Sequence, residues 1–421
     1  MNTREAAYIA LLASMRNEAF ISHSLQKWMH SDSPDKLDFA FAYEIASGSA
    51  RMASALDYLA SKLPANKKIS LKVKERALVR TAIYQYCYME KVPLYAIVNE
   101  TVELAKKYCH RTFSSYLNAL LRRLEDHLPA FPAGNGPDQL SIRYSYPLYF
   151  VEALIADYGK ELAEKILIAG NTPPKVMARI RPGFTMAVSR FKLLGPENDP
   201  SVPMTIIDKG DSFSGLSEME EIYIQNITPA SLVASLAQRT KPPAIILDLC
   251  ASPGGKLLAA HDRFPTAKLF ANDVSPEKIL RLSQNLVKYK VEADIVCGPG
   301  ENYPSGRRFD LIILDVPCSN SGVLNKRPEA RWRLTAEALE NLGLIQLRLL
   351  EHAANLLAPD GVIWYLTCSI LKGENEELVE QVMKRLGLTV DYSRTMLPNK
   401  NGWDGGFCAL LRNKRIDFHD L

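Results

Sequence analysis

The sequence predicts an α/β protein: a doubly wound, mostly parallel sheet in the carboxy-terminal half, preceded by an all-α domain. Three observations carry this. From about Ala244 short apolar runs alternate with helical stretches. The first 125 or so residues show helical periodicity without period-two alternation. A Pro- and Gly-rich stretch, Pro129 to Pro137 (PAFPAGNGP), reads as a linker after the helical part.

In the amino-terminal part, Phe39, Phe41, Ile45, Met52, Leu56 and Leu59 mostly fit one helical face over Phe39 to Leu63. Lys72 to Tyr88 continues the pattern through Val73, Ala77, Val79, Ile83 and Tyr86. Further segments carry Ile97, Val98, Val102 and Ala105, then Leu117, Leu120 and Leu121. The expected division is a helical domain over 1–128, a small linking region over 138–235 and a catalytic domain over 236–421.

The net charge of +4 is unevenly spread: Arg51 to Arg123 holds fourteen Lys/Arg against five Asp/Glu. Such an excess suits a polyanion, although a solvated helical surface has the same composition. The densest stretch contains Lys67, Lys68, Lys72, Lys74, Arg76 and Arg80. Seven widely spaced cysteines without a C-x-x-C pair argue against a disulfide framework and a zinc ribbon, and no metal is expected. The same cysteine pattern makes a reducing cytoplasm the expected setting; no signal peptide and no membrane-spanning run is read.

The predicted strands are Ala244–Cys250, Lys268–Val274, Asp294–Cys297, Phe309–Val316 and Val362–Thr367, with helices such as Ser275–Tyr289 and Ala336–Leu357 between them. Ligands of such sheets bind past the carboxyl ends of the strands. After the first strand comes Cys250-Ala251-Ser252-Pro253-Gly254-Gly255-Lys256, where glycines at a strand-to-helix turn let backbone amides approach a ligand. The loop is neither G-x-G-x-x-G nor G-x-x-x-x-G-K-[ST]. Asp273 ends the second strand, where an acid can bind ribose hydroxyls, or else cap the helix after Pro276 in competition with Ser275. Together Gly254, Gly255 and Asp273 favour an adenosine-containing cofactor.

Two strands deliver cysteines to the same sheet edge, Cys318 after Asp315-Val316-Pro317 and Cys368 after Leu366-Thr367. A lone free cysteine is usually a small buried hydrophobe. A pair beside a cofactor loop suits alkylation of cytosine at carbon 5, which becomes nucleophilic once a thiolate adds at carbon 6. Asp315 is placed to stabilise charge at ring nitrogen 3. An unperturbed thiol is mostly protonated at neutral pH, so the site must lower its pKa or remove the proton during attack.

Asp248–Lys256 (DLCASPGGK), Asp315–Val323 (DVPCSNSGV), Tyr365–Glu376 (YLTCSILKGENE), Arg327–Trp332 (RPEARW) and Asp404–Phe407 (DGGF) resemble the motifs of the RNA cytosine-5 methyltransferases of the Fmu/Sun/Nop2 type. Val92-Pro93, Val98–Glu100, Val102–Lys106 and Asn118–Arg122 are similar to the NusB-type helical RNA-binding domain. The resemblance covers nearly the whole chain. It implies a Rossmann-like methyltransferase domain, S-adenosyl-L-methionine as donor, and as substrate 16S rRNA or a small-subunit assembly intermediate; a monomer is expected. By position it makes Cys368 the nucleophile and Cys318 the residue that helps release product. Residues 250 to 256, Asp273 and Asp315 would line the cofactor pocket. Arg179, Arg181 and Arg331 join the basic stretch as expected RNA contacts. The chain departs from the family at Gly298-Pro299-Gly300, where an acid often holds adenine. It also has Asn320-Ser321 where Gly-Thr is common, and Arg179-Ile180-Arg181 in place of Arg-Val-Asn. Two competing readings are a ribosome assembly factor that no longer reacts and a DNA cytosine-5 methyltransferase. The latter would use Cys318 as nucleophile.

Overall fold

The computed structural model describes residues 1–63, 70–184, 202–207, 215 and 218–413. Lys67 and Lys68 lie outside them. The chain divides into two compact units, Met1–Asn171 with Leu324–Leu334, and Thr172–Val323 with Thr335–Leu421.

The first unit is helical: α1 (Thr3–Met15), α2 (Ile21–Asp32), α3 (Lys36–Arg51), α4 (Ala53–Lys62), α5 (Val73–Tyr88), α6 (Leu94–Tyr108), α7 (Arg111–Asp126), α8 (Pro137–Tyr144), α9 (Leu148–Tyr158) and α10 (Lys160–Asn171). The stretch expected as one helix over Phe39 to Leu63 is two, broken at Met52. Leu11, Leu25, Ile45, Leu56, Leu78, Ile83, Leu117 and Leu121 build one core. Gly48, in the middle of α3, has no Cβ because the Tyr84 ring occupies that space, 1.9 Å from where the atom would stand.

The Pro/Gly stretch before Pro137 is a loop inside this unit, and the expected 138–235 region is split between the two units. The physical reason is visible at two joints. Ser54 at the start of α4 donates its N–H to Ser145 Oγ after α8, at 3.0 Å. The second joint is Arg331, which the chain supplies from the segment between Cys318 and the helix at Ala336. Its guanidinium donates to Arg51 O (3.0 Å), Ser145 O (2.9 Å), Gly170 O (3.2 Å) and Asn171 Oδ1 (3.0 Å). Three helix C-termini, those of α3, α8 and α10, thus converge on one buried cation, which the partial negative charge of their carbonyl ends stabilises.

The second unit contains a small sheet, β2 (Met204–Ile206), β1 (Met177–Ile180) and β3 (Ile222–Ile224), antiparallel in that order. Its main sheet has seven strands in the order β6 (Asp294–Cys297), β5 (Lys268–Asp273), β4 (Ile245–Asp248), β7 (Phe309–Asp315), β8 (Leu357–Thr367), β10 (Gly406–Asn413) and β9 (Leu388–Met396). The first five are parallel; β10 is antiparallel to both β8 and β9. Its helices are α11 (Ile227–Ala237), α12 (Gly255–Arg263), α13 (Pro276–Lys288), α14 (Ala336–Leu356) and α15 (Glu376–Leu386).

Successive strand residues feed opposite cores, as a sheet covered on both faces requires. Ile246, Leu311, Ile313, Trp364 and Leu366 pack with Leu232, Leu257, Leu258 and Leu282 of α11, α12 and α13. Leu247, Ile312, Leu314, Ile363 and Tyr365 pack with Leu349, Leu350, Leu378 and Val382 of α14 and α15. All five predicted strands are present, so the α/β expectation holds; β9, β10 and the small sheet were not foreseen. No described helix is long and apolar enough to cross a membrane.

Candidate active site

Strands β4, β5, β7 and β8 end at one edge, and each contributes an acid or a thiol there. After β4, Gly254 takes φ +106°, a left-handed conformation that glycine adopts without Cβ strain, and α12 begins at Gly255. A Cβ on Gly255 would sit 2.9 Å from the Tyr223 ring, so the turn packs tightly against β3. Ala251 N donates to Asn272 O (2.8 Å) and Asn285 Nδ2 to Pro253 O (2.7 Å), tying the loop to β5 and α13.

Asp273 is buried. Its carboxylate accepts Ser252 N at 3.0 Å and Val274 N at 2.7 Å, and pairs with the half-exposed Lys278 ammonium at 3.1 Å. The cap of α13 comes from Ser275, whose side chain accepts Lys278 N. Asp273 is therefore not spent on the helix terminus. Asn272 Nδ2 bridges Leu249 O and Gly298 O, both at 3.0 Å, holding the loops after β4 and β6 together. A Cβ at Gly298 would meet nothing within 4 Å. The open space beside Gly298, the buried Asp273 carboxylate and the glycine turn fit an adenosine: ribose at Asp273, and room for a flat ring where the family acid is missing.

Asp248 ends β4 fully buried. Burial, and then the charge of Asp315, push its carboxyl up to about 8. Its Oδ1 accepts Cys250 N at 3.2 Å, while Oδ2 has no partner among the described residues. Burial first, then Asp248 and Asp315, raise the Cys250 thiol, leaving it a packing residue with little thiolate character.

Lys256, the second residue of the cofactor loop's helix, forms an ion pair with Asp315 at the end of β7. Burial disfavours its charge, but Asp315, and beyond it Cys368 and Asp248, reverse that and raise the ammonium pKa. Lys256 thus stays a cation within Coulombic reach of the Cys368 sulfur. The sequence singled out Lys256 only for the cofactor.

Cys318 Sγ and Cys368 Sγ lie 3.0 Å apart, both free thiols. That is hydrogen-bonding contact, well beyond the roughly 2.05 Å of a disulfide. Cys368 also donates to Asn320 Oδ1 at 3.3 Å, while Asn320 Nδ2 donates to Cys318 O at 3.0 Å. The hydrogen bond with Cys368, then burial, and weaker charges including Glu374 raise the Cys318 thiol well above its ordinary value. Asn320 stands at φ +59°. Asparagine tolerates this conformation where glycine is usual, which accounts for the replacement of the family's Gly-Thr.

Below the thiols lies a buried polar network that the sequence did not reveal, although Glu374 sits in the quoted GENE run. The Glu374 carboxylate accepts Ser319 N (2.8 Å), Gln346 Nε2 (3.1 Å) and Ser369 Oγ (2.5 Å). Ser321 Oγ contacts Ser369 Oγ at 2.9 Å and accepts Ile370 N at 2.9 Å, doing what a threonine hydroxyl would do there. The network fixes the residues after Cys318 to those after Cys368. Backbone closes the assembly: Gly322 N donates to Cys368 O (2.9 Å) and Gly405 N to Gly322 O (2.7 Å). A Cβ on Gly322 would fall 2.5 Å from Gly405 O.

The expected RNA contacts fare unevenly. Lys72, just before α5, and Arg76 in its first turns are exposed. Lys74 donates to Tyr108 O at 2.9 Å, and Arg80 is paired with Asp57 at 2.7 Å. Three expectations are corrected. Arg179 and Arg181 are buried against Asp262, Arg181 at 2.8 Å, and Arg331 is wholly buried in the helical unit. None of the three presents its charge to a polyanion. Sequence cannot distinguish a cation at a helix-end cluster from one on a surface. Among the described residues no His/Cys/Asp/Glu group is arranged to hold a metal ion.

A doubly wound sheet with a glycine turn after β4, an acid ending β5 and a paired acid ending β7 defines the class of S-adenosylmethionine-dependent methyltransferases. Residues 235–412 match the family model for the 16S rRNA methyltransferase RsmB/F, and residues 1–126 that of the NusB family. The ribosomal RNA small subunit methyltransferase B of Xylella fastidiosa is 31% identical over 76% of this chain and 79% of its own length. That of Pseudomonas putida is 27% identical over 98% of both chains. Among solved structures, that of PH0851 has the same fold, with a TM-score of 0.76, 20% identity and coverage of 97% of this chain and 98% of that one. The chain belongs to the RsmB/F family of 16S rRNA methyltransferases, with an amino-terminal NusB-type domain.

Proposed function

We propose that this protein transfers a methyl group from S-adenosylmethionine to carbon 5 of one cytosine in 16S rRNA, through an adduct between Cys368 and carbon 6. The observation that carries this reading is the pair of free thiols 3.0 Å apart at the ends of β7 and β8, with Lys256 and Asp315 beside them. One cysteine suffices for most nucleophilic catalysis. Two in contact suit a reaction with an addition and a separate elimination.

Residues 250 to 256 and Asp273 hold the cofactor, which supplies an electrophilic methyl carbon and a positive sulfonium. Cys318 and Asn320 orient the Cys368 sulfur by hydrogen bonds. Cys368 Sγ bonds to carbon 6, and the electron pair displaced onto ring nitrogen 3 and the carbonyl needs a donor. Asp315, held by Lys256, accepts rather than donates as a carboxylate. Assistance at nitrogen 3 is therefore shared: Lys256 supplies the N–H, and Asp315 positions it and accepts the exocyclic amine. Carbon 5 then takes the methyl group. A solvent water takes the proton from carbon 5, the C5–C6 double bond re-forms and the Cys368 thiolate leaves with the C6–S electron pair; the Cys318 S–H, in hydrogen-bonding contact with that sulfur, stabilises its charge as it departs. The target base has to leave its stack to reach the thiols. The exposed Lys72 and Arg76, with Lys67 and Lys68 of the same basic stretch, hold phosphates.

The test is the nucleoside content of 16S rRNA incubated with the protein and labelled S-adenosylmethionine. Label recovered as 5-methylcytidine at one position is the expected result; label in another nucleoside contradicts the reading.

A further inference from the structure

We propose that the helical unit carries a separate site for one nucleotide of the rRNA. Its phosphate rests on Arg76 and Arg333 and its base against Trp332, outside the catalytic pocket. This rests on the reading of the substrate as RNA. The site is a cavity of about 250 Å³ enclosed by the end of α1, α3, the first turns of α5 and the 324–334 segment. It offers room for a single base.

Its chemistry is that of a nucleotide. Trp332 is half-buried, and its Nε1–H donates to Ala50 O at 2.6 Å, so the indole is fixed before any ligand arrives. A fixed aromatic face at a cavity wall is a stacking platform for any base, worth about 1–3 kcal/mol when a base occupies it. Three arginines line the cavity. Arg80 is paired with Asp57. Arg333 stacks over the Phe20 ring at 4.3 Å, which directs its guanidinium, and its Nη2 is buried with no hydrogen-bond partner. A buried guanidinium N–H without an acceptor is costly, and a phosphate oxygen removes that cost. Arg76 is exposed on the first turn of α5, whose amide end adds favourable potential for an anion. The one lining carboxylate, Glu329, is engaged at Oε1 by Ile21 N–H at 3.3 Å. Every base but uracil carries an amino group that a carboxylate can accept from, so Glu329 does not oppose a base in the way it would oppose a second phosphate.

The segment has a further meaning. Trp332 and Arg333 come from the chain just after the Cys318 loop, yet fold as part of the helical unit. The amino-terminal domain therefore lacks half of this site when it is expressed alone.

The experiment uses the full-length protein and a 16S rRNA transcript, with the dissociation constant of the RNA measured directly beside the methylation kinetics. The variants are Arg76→Gln with Arg333→Gln, and separately Trp332→Leu; Lys165→Gln, which breaks an exposed pair in the same unit, is the control. The paired arginine variant is expected to raise Kd and KM for RNA about ten-fold or more, as losing a charged hydrogen bond does, with kcat and KM for S-adenosylmethionine within about two-fold. RNA carrying 6-thioguanosine, which keeps an exocyclic amino group, is expected to photocrosslink to the peptide containing Trp332. Unchanged RNA affinity in the arginine variant overturns the proposal. So does a fall in kcat that tracks a fall in melting temperature, since that marks a structural role. If the wild type makes no 5-methylcytidine while the variants still weaken RNA binding, the catalytic reading fails and the nucleotide site stands.

Discussion

Asp248 and Cys318 show how burial at the sheet edge assigns protonation states. Asp248 has its carboxyl raised to about 8 by burial and by Asp315, so in the folded protein it is neutral near pH 7, whereas in the unfolded chain it is ionised. The folded state then binds one more proton than the unfolded state between about pH 4 and 8, and stability falls as pH rises through that window. Asp248→Asn is expected to flatten this fall, seen as a smaller drop in melting temperature between pH 5 and 8. An unchanged slope would place the proton elsewhere. Cys318, raised by its bond to Cys368 and by burial, remains a thiol beside a sulfur that has to become a thiolate. Two cysteines that look alike in sequence thereby acquire unequal roles. The sequence showed both thiols and Asp315. It did not show how Glu374, Ser369 and Asn320 support them, because side-chain networks between two loops depend on contacts across about fifty positions of chain.

At the scale of the elements, the parallel strands were legible because each is a short apolar run feeding both cores. Strand β9 was not. Its pairing with β10 shifts register between Leu410 and Leu411, so Leu388 and Val390 pack on one face of the sheet while Tyr392 and Met396 pack on the other. A bulge of this kind breaks period-two alternation midway through the strand. The cofactor loop was readable for the opposite reason: Gly254, Gly255 and Asp273 act locally, at the ends of their own elements. Arg331 is the element-scale surprise, a cation from the catalytic stretch of sequence that joins α3, α8 and α10. Its burial lowers its pKa to about 10, and it remains charged at neutral pH. Arg331→Met leaves several helix-end carbonyls without a donor and is expected to cost about 3 kcal/mol or more, read as a lower urea midpoint. A loss below about 1 kcal/mol would mean that water replaces the guanidinium.

For the whole molecule, a net charge of +4 conceals a basic stretch in the helical part and a slightly acidic remainder. Exposed Lys72 and Arg76 belong to the former, and reversing both to Glu is expected to weaken rRNA binding and to reduce the slope of log affinity against log salt by about two. An unaltered slope would mark this surface as solvated helix. The buried Arg179, Arg181 and Arg331 bear on the same point: charge counted along a sequence overstates the charge available to a partner.

The central claim is the division of labour between Cys368 and Cys318, and trapping the intermediate tests it most directly. Wild-type protein, Cys318→Ala and Cys368→Ala are each incubated with 16S rRNA and S-adenosylmethionine, then resolved on a denaturing gel. The account predicts a covalent protein–RNA band with Cys318→Ala, no band and no methylation with Cys368→Ala, and turnover without accumulation for the wild type. A band with Cys368→Ala and none with Cys318→Ala would contradict it.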